Sequence, residues 1–340
     1  MSRHQFPWRM ALGCGLVALI LVAGFLTALP AKAAHHAASR PAAVSELQKV
    51  TLNETSINAP GFYGNAQLNT GEVIAWAGTD TAHHLNVMTS TDGLHYGHKI
   101  TLGETSDNRP GVVQMSSSAG GAVAIAWRGT DAAHKLNVLF DVYGSPKKLT
   151  LNQTSFTGPA ITVFNGNLLL AWVGTDANHS LNVLPIALPS LTPGKVTTLT
   201  QFSARTGPTL TVFTVGSTTT IVLSWATPTS KLDQATSTDG VHFTSGVGNS
   251  LPETSPSSPD MLHFQSEGGP EFWIAWTGTD SVHHLNVKWT STFPTWTGNK
   301  TVLPEAALGG PELAFNQGVM IAWTGTDSAH HLNIARLQGF

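Results

Sequence analysis

Aspartate and histidine recur together at one fixed spacing. Asp80 and His83, Asp131 and His134, Asp176 and His179, Asp280 and His283, and Asp327 and His330 each frame a G-T-D-x-x-H string. A second series, Glu54, Glu104, Gln153, Gln201, Glu253 and Glu305, returns at a similar interval. Carboxylates and imidazoles gathered in one place can hold a metal ion, move protons or bind a polar ligand. The same pair can also do local work, because an Asp in a turn accepts hydrogen bonds from the turn's own amides and steadies the ring beside it. A feature present in nearly every copy of a repeat fits architecture better than a single active centre. The Asp and His pairs are therefore read as turn builders, and neither a metal nor a cofactor is expected. The residue after each histidine varies: His84, Lys135, Ser180, His284 and His331. Variable and expected to be exposed, these five are the candidate ligand contacts, joined by Arg109 and Arg205 in nearby loops.

The strings sit inside a longer repeat. IAWAGTDTAHHLNV from Ile74 returns as IAWRGTDAAHKLNV from Ile125, LAWVGTDANHSLNV from Leu170, IAWTGTDSVHHLNV from Ile274 and IAWTGTDSAHHLNI from Ile321. A worn copy, LSWATPTSKLDQA, starts at Leu223. The anchoring tryptophans, Trp76, Trp127, Trp172, Trp225, Trp276 and Trp323, are 51, 45, 53, 51 and 47 residues apart. A period of that size, built from short apolar strands, predicts an all-β six-bladed β-propeller of four-stranded blades. In the first blade, strands are expected over 60–68, 72–77, 85–89 and 99–102. Strand side chains alternate, so Trp76 faces one neighbouring blade and the small Ala75 faces the other. Ala126, Ala171, Ser224, Ala275 and Ala322 repeat the pattern. All six tryptophans are read as packing between blades.

A second phrase fixes closure. TLNETSINAP from Thr51 recurs as TLGETSDNRP from Thr101 and TLNQTSFTGP from Thr150, with weaker copies from Thr198, Ser250 and Val302. The first copy precedes every blade, and none follows the last His331-Leu332-Asn333-Ile334. The strand near Val50 to Leu52 should therefore complete the last blade and remove an open sheet edge. In such a blade the second-to-third hairpin and the link to the next blade emerge on one face. That face would gather the G-T-D-x-x-H and E-T-S loops.

Residues 1–33 carry the order of a secretory signal peptide: Arg3 and Arg9, the apolar run Ala11 to Leu29, then Ala31-Lys32-Ala33. Left uncleaved, the same run could anchor the chain in a membrane. Residues 34–44 read as a flexible linker and 45–340 as the propeller, so an extracellular location is expected. The single cysteine, Cys14, falls in the leader, which leaves the mature chain without disulfides or thiol chemistry. Charged residues are 11% of the chain and the net charge is −3, with no basic stripe, which argues against nucleic acid.

Ser90-Thr91-Asp92-Gly93-Leu94-His95-Tyr96 and Ser237-Thr238-Asp239-Gly240-Val241-His242-Phe243 resemble the Asp-box hairpins of sialidase-like (BNR) β-propellers. In that family the box joins the third and fourth strands on the face opposite the active site. Its Asp caps the turn and its final aromatic packs beneath. Both strings here are one residue shorter between Asp and Gly. The resemblance implies the family's architecture. Its enzymes use three arginines, a Tyr–Glu nucleophile pair and an Asp acid/base. Beyond the linker this chain has Arg109, Arg128, Arg205 and Arg336, and its tyrosines are Tyr63, Tyr96 and Tyr143. No F-R-I-P-like string is present, so no catalytic residue is assigned. Near-identical loops favour repeated, lectin-like binding of a glycan or cell-surface polysaccharide. The alternatives are an exo-acting glycosidase of sialidase type and a protein-interaction scaffold.

Overall fold

The computed structural model describes residues 44–64, 71–115, 121–246 and 250–338. The expected leader and, apart from Val44, the linker lie outside the described residues. Val44 belongs to the fold, because it is buried in the cluster between the last two blades.

Six antiparallel sheets follow one another along the chain. The first blade has strands Gly61–Gly64, Glu72–Ala77, His84–Ser90 and Tyr96–Thr105. The second, from Gly111–Gln114 to Lys147–Thr154, and the fifth, from Asp260–Ser266 to Thr301–Ala306, repeat that order. The third adds a two-residue strand, Thr192–Pro193. The fourth departs from expectation. Among the described residues it has three strands, Thr209–Val215, Thr218–Ala226 and Leu232–Ser237, with isolated bridges at Thr244 and Thr254 where a fourth would run. Its sequence offers a reason for the loss: glycines replace an alternating apolar run.

The last blade comprises Glu312–Phe315, Val319–Thr324 and His331–Gln338, and the N-terminal strand Ser45–Thr55 completes it. Val50 pairs with Ile334 and Thr51 with Asn333, as the phrase order requires. The first strand of each blade touches the first strands of the blades before and after it, so these six line the axis.

Tryptophan against alanine is the packing rule between blades. Trp76 shares a cluster with Ala322 of the last blade, while Ala75 lies with Trp127 of the second. Trp172 meets Ala126, Trp225 meets Ala171, Trp276 meets Ala226 and Trp323 meets Ala275. Each tryptophan is at most 2% exposed. Burying side chains of this size at six interfaces supplies the dominant favourable term in folding.

Candidate ligand-binding site

The repeated phrase builds one stiff hairpin per blade. Asp80 Oδ1 accepts from the Ala82 and His84 amides, and the His84 Nδ1–H donates to the same oxygen over 2.8 Å. Asp280 and Asp327 hold His284 and His331 in the same way, at 2.9 and 2.8 Å. Asp176 instead takes the Ser180 hydroxyl, and Asp131 only the Ala133 and Lys135 amides. The glycine of G-T-D is required, since a Cβ on Gly78, Gly174 or Gly278 would lie within 3 Å of the Asp carboxylate.

The other histidine of each hairpin has a different task. His83, His134, His179, His283 and His330 all adopt positive φ, between 49° and 63°. Histidine is among the few non-glycine residues that enter this region readily. The turn exposes their carbonyls, and the His83 carbonyl accepts from the Ser106 amide, His134 from Ser155 and His330 from Ser56. Ser56, Ser106 and Ser155 then donate their hydroxyls to the second strand of the following blade, at Ala77, Arg128 and Val173. The E-T-S turn thus welds each hairpin to its neighbour. The asparagine after the hairpin completes the set: Asn86 donates to the His84 carbonyl and accepts from Thr101, the Thr of the T-L phrase. The Asp carboxylates thus bond within their own turns, with one correction to the expected geometry: the ring that Asp holds is the residue four places on, not three.

The variable position is therefore part of the hairpin rather than loose beside it. The side chains of His84, His284 and His331 remain 40%, 33% and 35% exposed. With Nδ1 committed to the carboxylate, Nε2 is the atom each presents outward. Lys135 is half-buried, with its ammonium outside these bonds. Ser180 was expected to be exposed and is buried, because Asp176 pulls its hydroxyl into the turn. Arg205 is exposed and donates to Ser230.

Arg109 requires a larger correction. It lies on the axis, not on the exposed face. Its guanidinium is ion-paired with Glu312 of the last blade and donates to the Pro208 carbonyl at the start of the fourth. Asp260 of the fifth blade is close enough to act on its charge. Burial pulls the Arg109 pKa down to about 10, Asp260 opposing. The residue after the link proline decides this arrangement. It is Gly61, Gly111 and Ala160 in blades one to three, but Thr209, Asp260 and Glu312 in blades four to six. All six stand at the same register, opposite the small residue before the tryptophan. A Cβ on Gly61 would fall 2.3 Å from the Pro110 carbonyl. One half of the ring is thus packed backbone to backbone and the other half carries polar side chains.

Burial raises the Asp260 pKa to about 6, although the Leu313 amide donates to it at 2.7 Å and Arg109 is near. The folded state therefore holds this proton more tightly than the unfolded chain, whose aspartates titrate near 3.9. Stability from this group is lost as pH rises from about 4 to about 6. Denaturant melts at several pH values should show a gap between the parent and Asp260→Asn that closes towards pH 4 and widens above it. A constant gap would mean that Asp260 is ionised throughout.

Below Arg109 the six first strands enclose an axial cavity of about 510 Å³. On the opposite face, the turns that follow the third strands of the first and fourth blades are shaped by Asp92 and Asp239. Asp92 Oδ1 accepts from the Leu94 and His95 amides at 2.9 and 2.8 Å, and Asp239 repeats this with Val241 and His242. Hydrogen bonds from His95 and His242 hold both carboxyls well below the usual range. Tyr96 donates to the buried Glu72 and Phe243 is buried beneath its turn.

No family model and no curated protein matches the sequence. Solved structures do match the fold. A protein of unknown function from Dyadobacter fermentans is 14% identical, with a TM-score of 0.61 over 87% of this chain and 99% of its own. The SapL1 lectin in complex with α-methyl fucoside is 12% identical, with a TM-score of 0.57 over 83% of this chain and 94% of its own. Trypanosoma rangeli sialidase in complex with sialic acid is 10% identical, with a TM-score of 0.54. It covers 88% of this chain, which spans only 58% of the sialidase. The protein is a six-bladed β-propeller, a fold it shares with these lectin and sialidase structures.

Proposed function

We propose that this chain is a secreted, multivalent glycan-binding propeller whose sites lie around the rim of the loop face. The observation that carries this reading is the repeated pose of His84, His284 and His331. Three blades present the same imidazole, oriented by the same carboxylate and partly open to solvent. An oriented imidazole and a neighbouring carboxylate can exchange hydrogen bonds with sugar hydroxyls, and repeated weak contacts gain avidity against a repeated ligand. The likeness to a sugar-binding lectin over most of both chains agrees with it. A sialidase-type centre would need free arginines on the axis, whereas Arg109 is already spent on Glu312 and Pro208. Secretion follows from the leader-like residues 1–33. Among the described residues no helix is long and apolar enough to cross a membrane.

A glycan array probed with the mature protein tests the reading. On the best polyvalent ligand, His84→Ala, His284→Ala and His331→Ala should each weaken binding partially, and the triple variant should weaken it by roughly 10²-fold or more. Parent and variants should leave fluorogenic sialosides and simple glycosides intact. Turnover by the parent that vanishes with Arg205→Ala, or binding abolished by any single histidine change, would replace the lectin reading with a single-centre one.

A further inference from the structure

An acid and a base break the repeat at one and the same seam. Glu72 stands four residues before Trp76 in the first blade. The same register holds Val123, Leu168, Ile221, Phe272 and Val319 in the other five, all apolar and buried. Arg336 stands opposite Met320 in the last blade. Its counterparts are Thr89, Phe140, Pro185, Thr236 and Trp289, none of them charged.

Both side chains enter the seam where the ring closes. Glu72 shares a strand face with Ile74 and Trp76, which pack against the last blade. It is fully buried. Its Oε2 accepts from the Tyr96 hydroxyl at 2.7 Å, and its Oε1 has no partner among the described residues. From the last blade, Arg336 donates to the Asp92 carbonyl at 2.8 Å and Asn316 to the Thr91 carbonyl at 3.3 Å. The Arg336 Nε is buried without a partner among the described residues. The last blade thus clasps the turn that carries Gly93. That turn lies directly on Glu72, since a Cβ on Gly93 would fall 2.8 Å from the carboxylate and 3.0 Å from Met320.

A buried carboxylate with an unanswered oxygen favours its protonated form, and a nearby cation opposes that preference. Tyr96 and Asp92 face Glu72 from its own blade, and Arg336 faces it from the last. Met320 and Ala314, which the last blade also brings to this seam, are apolar. Desolvation prevails over the Tyr96 hydrogen bond and the Arg336 charge, and the Glu72 pKa rises to about 7. A solvated glutamate titrates at about 4.3. The closed seam therefore holds this proton more tightly than an opened one. The stability it gives is complete below about pH 4, falls as pH rises, and is gone above about pH 7.

We infer that Glu72 is a proton latch on the closing seam: protonated, it lets the first and last blades lock, and on ionisation it loosens them while the other seams hold. The rim sites play no part in it.

Amide hydrogen exchange on the mature protein, corrected for the intrinsic effect of pH, tests this between about pH 5 and about pH 8. The reporter is the Ser90–Tyr96 turn. The fold supplies its own control in the Ser237–Phe243 turn of the fourth blade, which packs on Phe164 of the third, with Ile221 in place of Glu72. Opening at the first turn should rise at least tenfold across the range, and the control should not follow. Glu72→Gln should abolish the rise. Arg336→Met should move the pH at which the rise levels off upward, because the carboxyl then keeps its proton longer. Should a variant misfold, the two turns of the parent still decide. A flat profile at the first turn, a rise shared by both turns, or a rise that survives Glu72→Gln overturns the inference.

Discussion

A chain that begins at Ser56 should melt well below the full mature protein. The N-terminal strand Ser45–Thr55 is the outer strand of the last blade, and its removal strips every ladder partner from His331–Gln338 on that side. Leu52 leaves the cluster it shares with Trp76 and Ile334. Losing one fully buried leucine costs about 1.5–3 kcal/mol before the ladder is counted. The Lys49–Glu305 pair to the neighbouring blade disappears as well, though a partly exposed pair adds little. The freed edge would also invite pairing between molecules. Thermal melts and light scattering of the two chains check this. Equal melting temperatures with no aggregation would mean that the strand decorates the ring rather than closing it.

Closure was legible because order along the chain was enough. Six copies of the second phrase, with one placed before the first blade, leave a single way to supply every outer strand. The tryptophans were equally plain, since alternation puts Ala75 and Trp76 on opposite faces whatever the details. The hairpin residues were half legible. Their spacing revealed a turn, but only positive φ at His83 and its counterparts shows why histidine recurs there: the backbone bends left-handed so that its carbonyl can meet the E-T-S loop. Ser180 shows the limit of variability as a sign of exposure, because a short hydroxyl in place of imidazole folds into the same carboxylate.

The axis is hidden from any local pattern, although its signal lies in the sequence. The residue after the link proline runs Gly, Gly, Ala, Thr, Asp, Glu around the ring. A position that repeats in place but drifts from small to acidic marks where blades stop being equivalent. Its meaning depends on six strands converging from residues up to 251 apart, from Gly61 to Glu312, which no local pattern conveys. Arg109 was misplaced for the same reason. A lone arginine in a loop has every local mark of an exposed contact, and only the convergence of Glu312, Asp260 and the Pro208 carbonyl makes an interior partner for it.

That partner makes Arg109 the most consequential single side chain on the axis. Replacing it by alanine leaves Glu312 buried with its charge unanswered and the Pro208 carbonyl without its donor. Breaking a buried pair from one side typically costs about 3–5 kcal/mol, because the remaining charge stays desolvated. Arg109→Ala should therefore lower the denaturant midpoint substantially. Arg109→Met combined with Glu312→Leu should recover much of the loss, since an apolar replacement of both partners strands no charge. Glycan binding at the rim should survive in the double variant, because its hairpins are tied to neighbouring blades and not to the axis. Chemical denaturation of the three proteins, with glycan binding read in parallel, separates the possibilities. If Arg109→Ala is as stable as the parent but no longer binds glycan, the arginine is a ligand contact after all, and the ring is held at its axis by backbone packing alone.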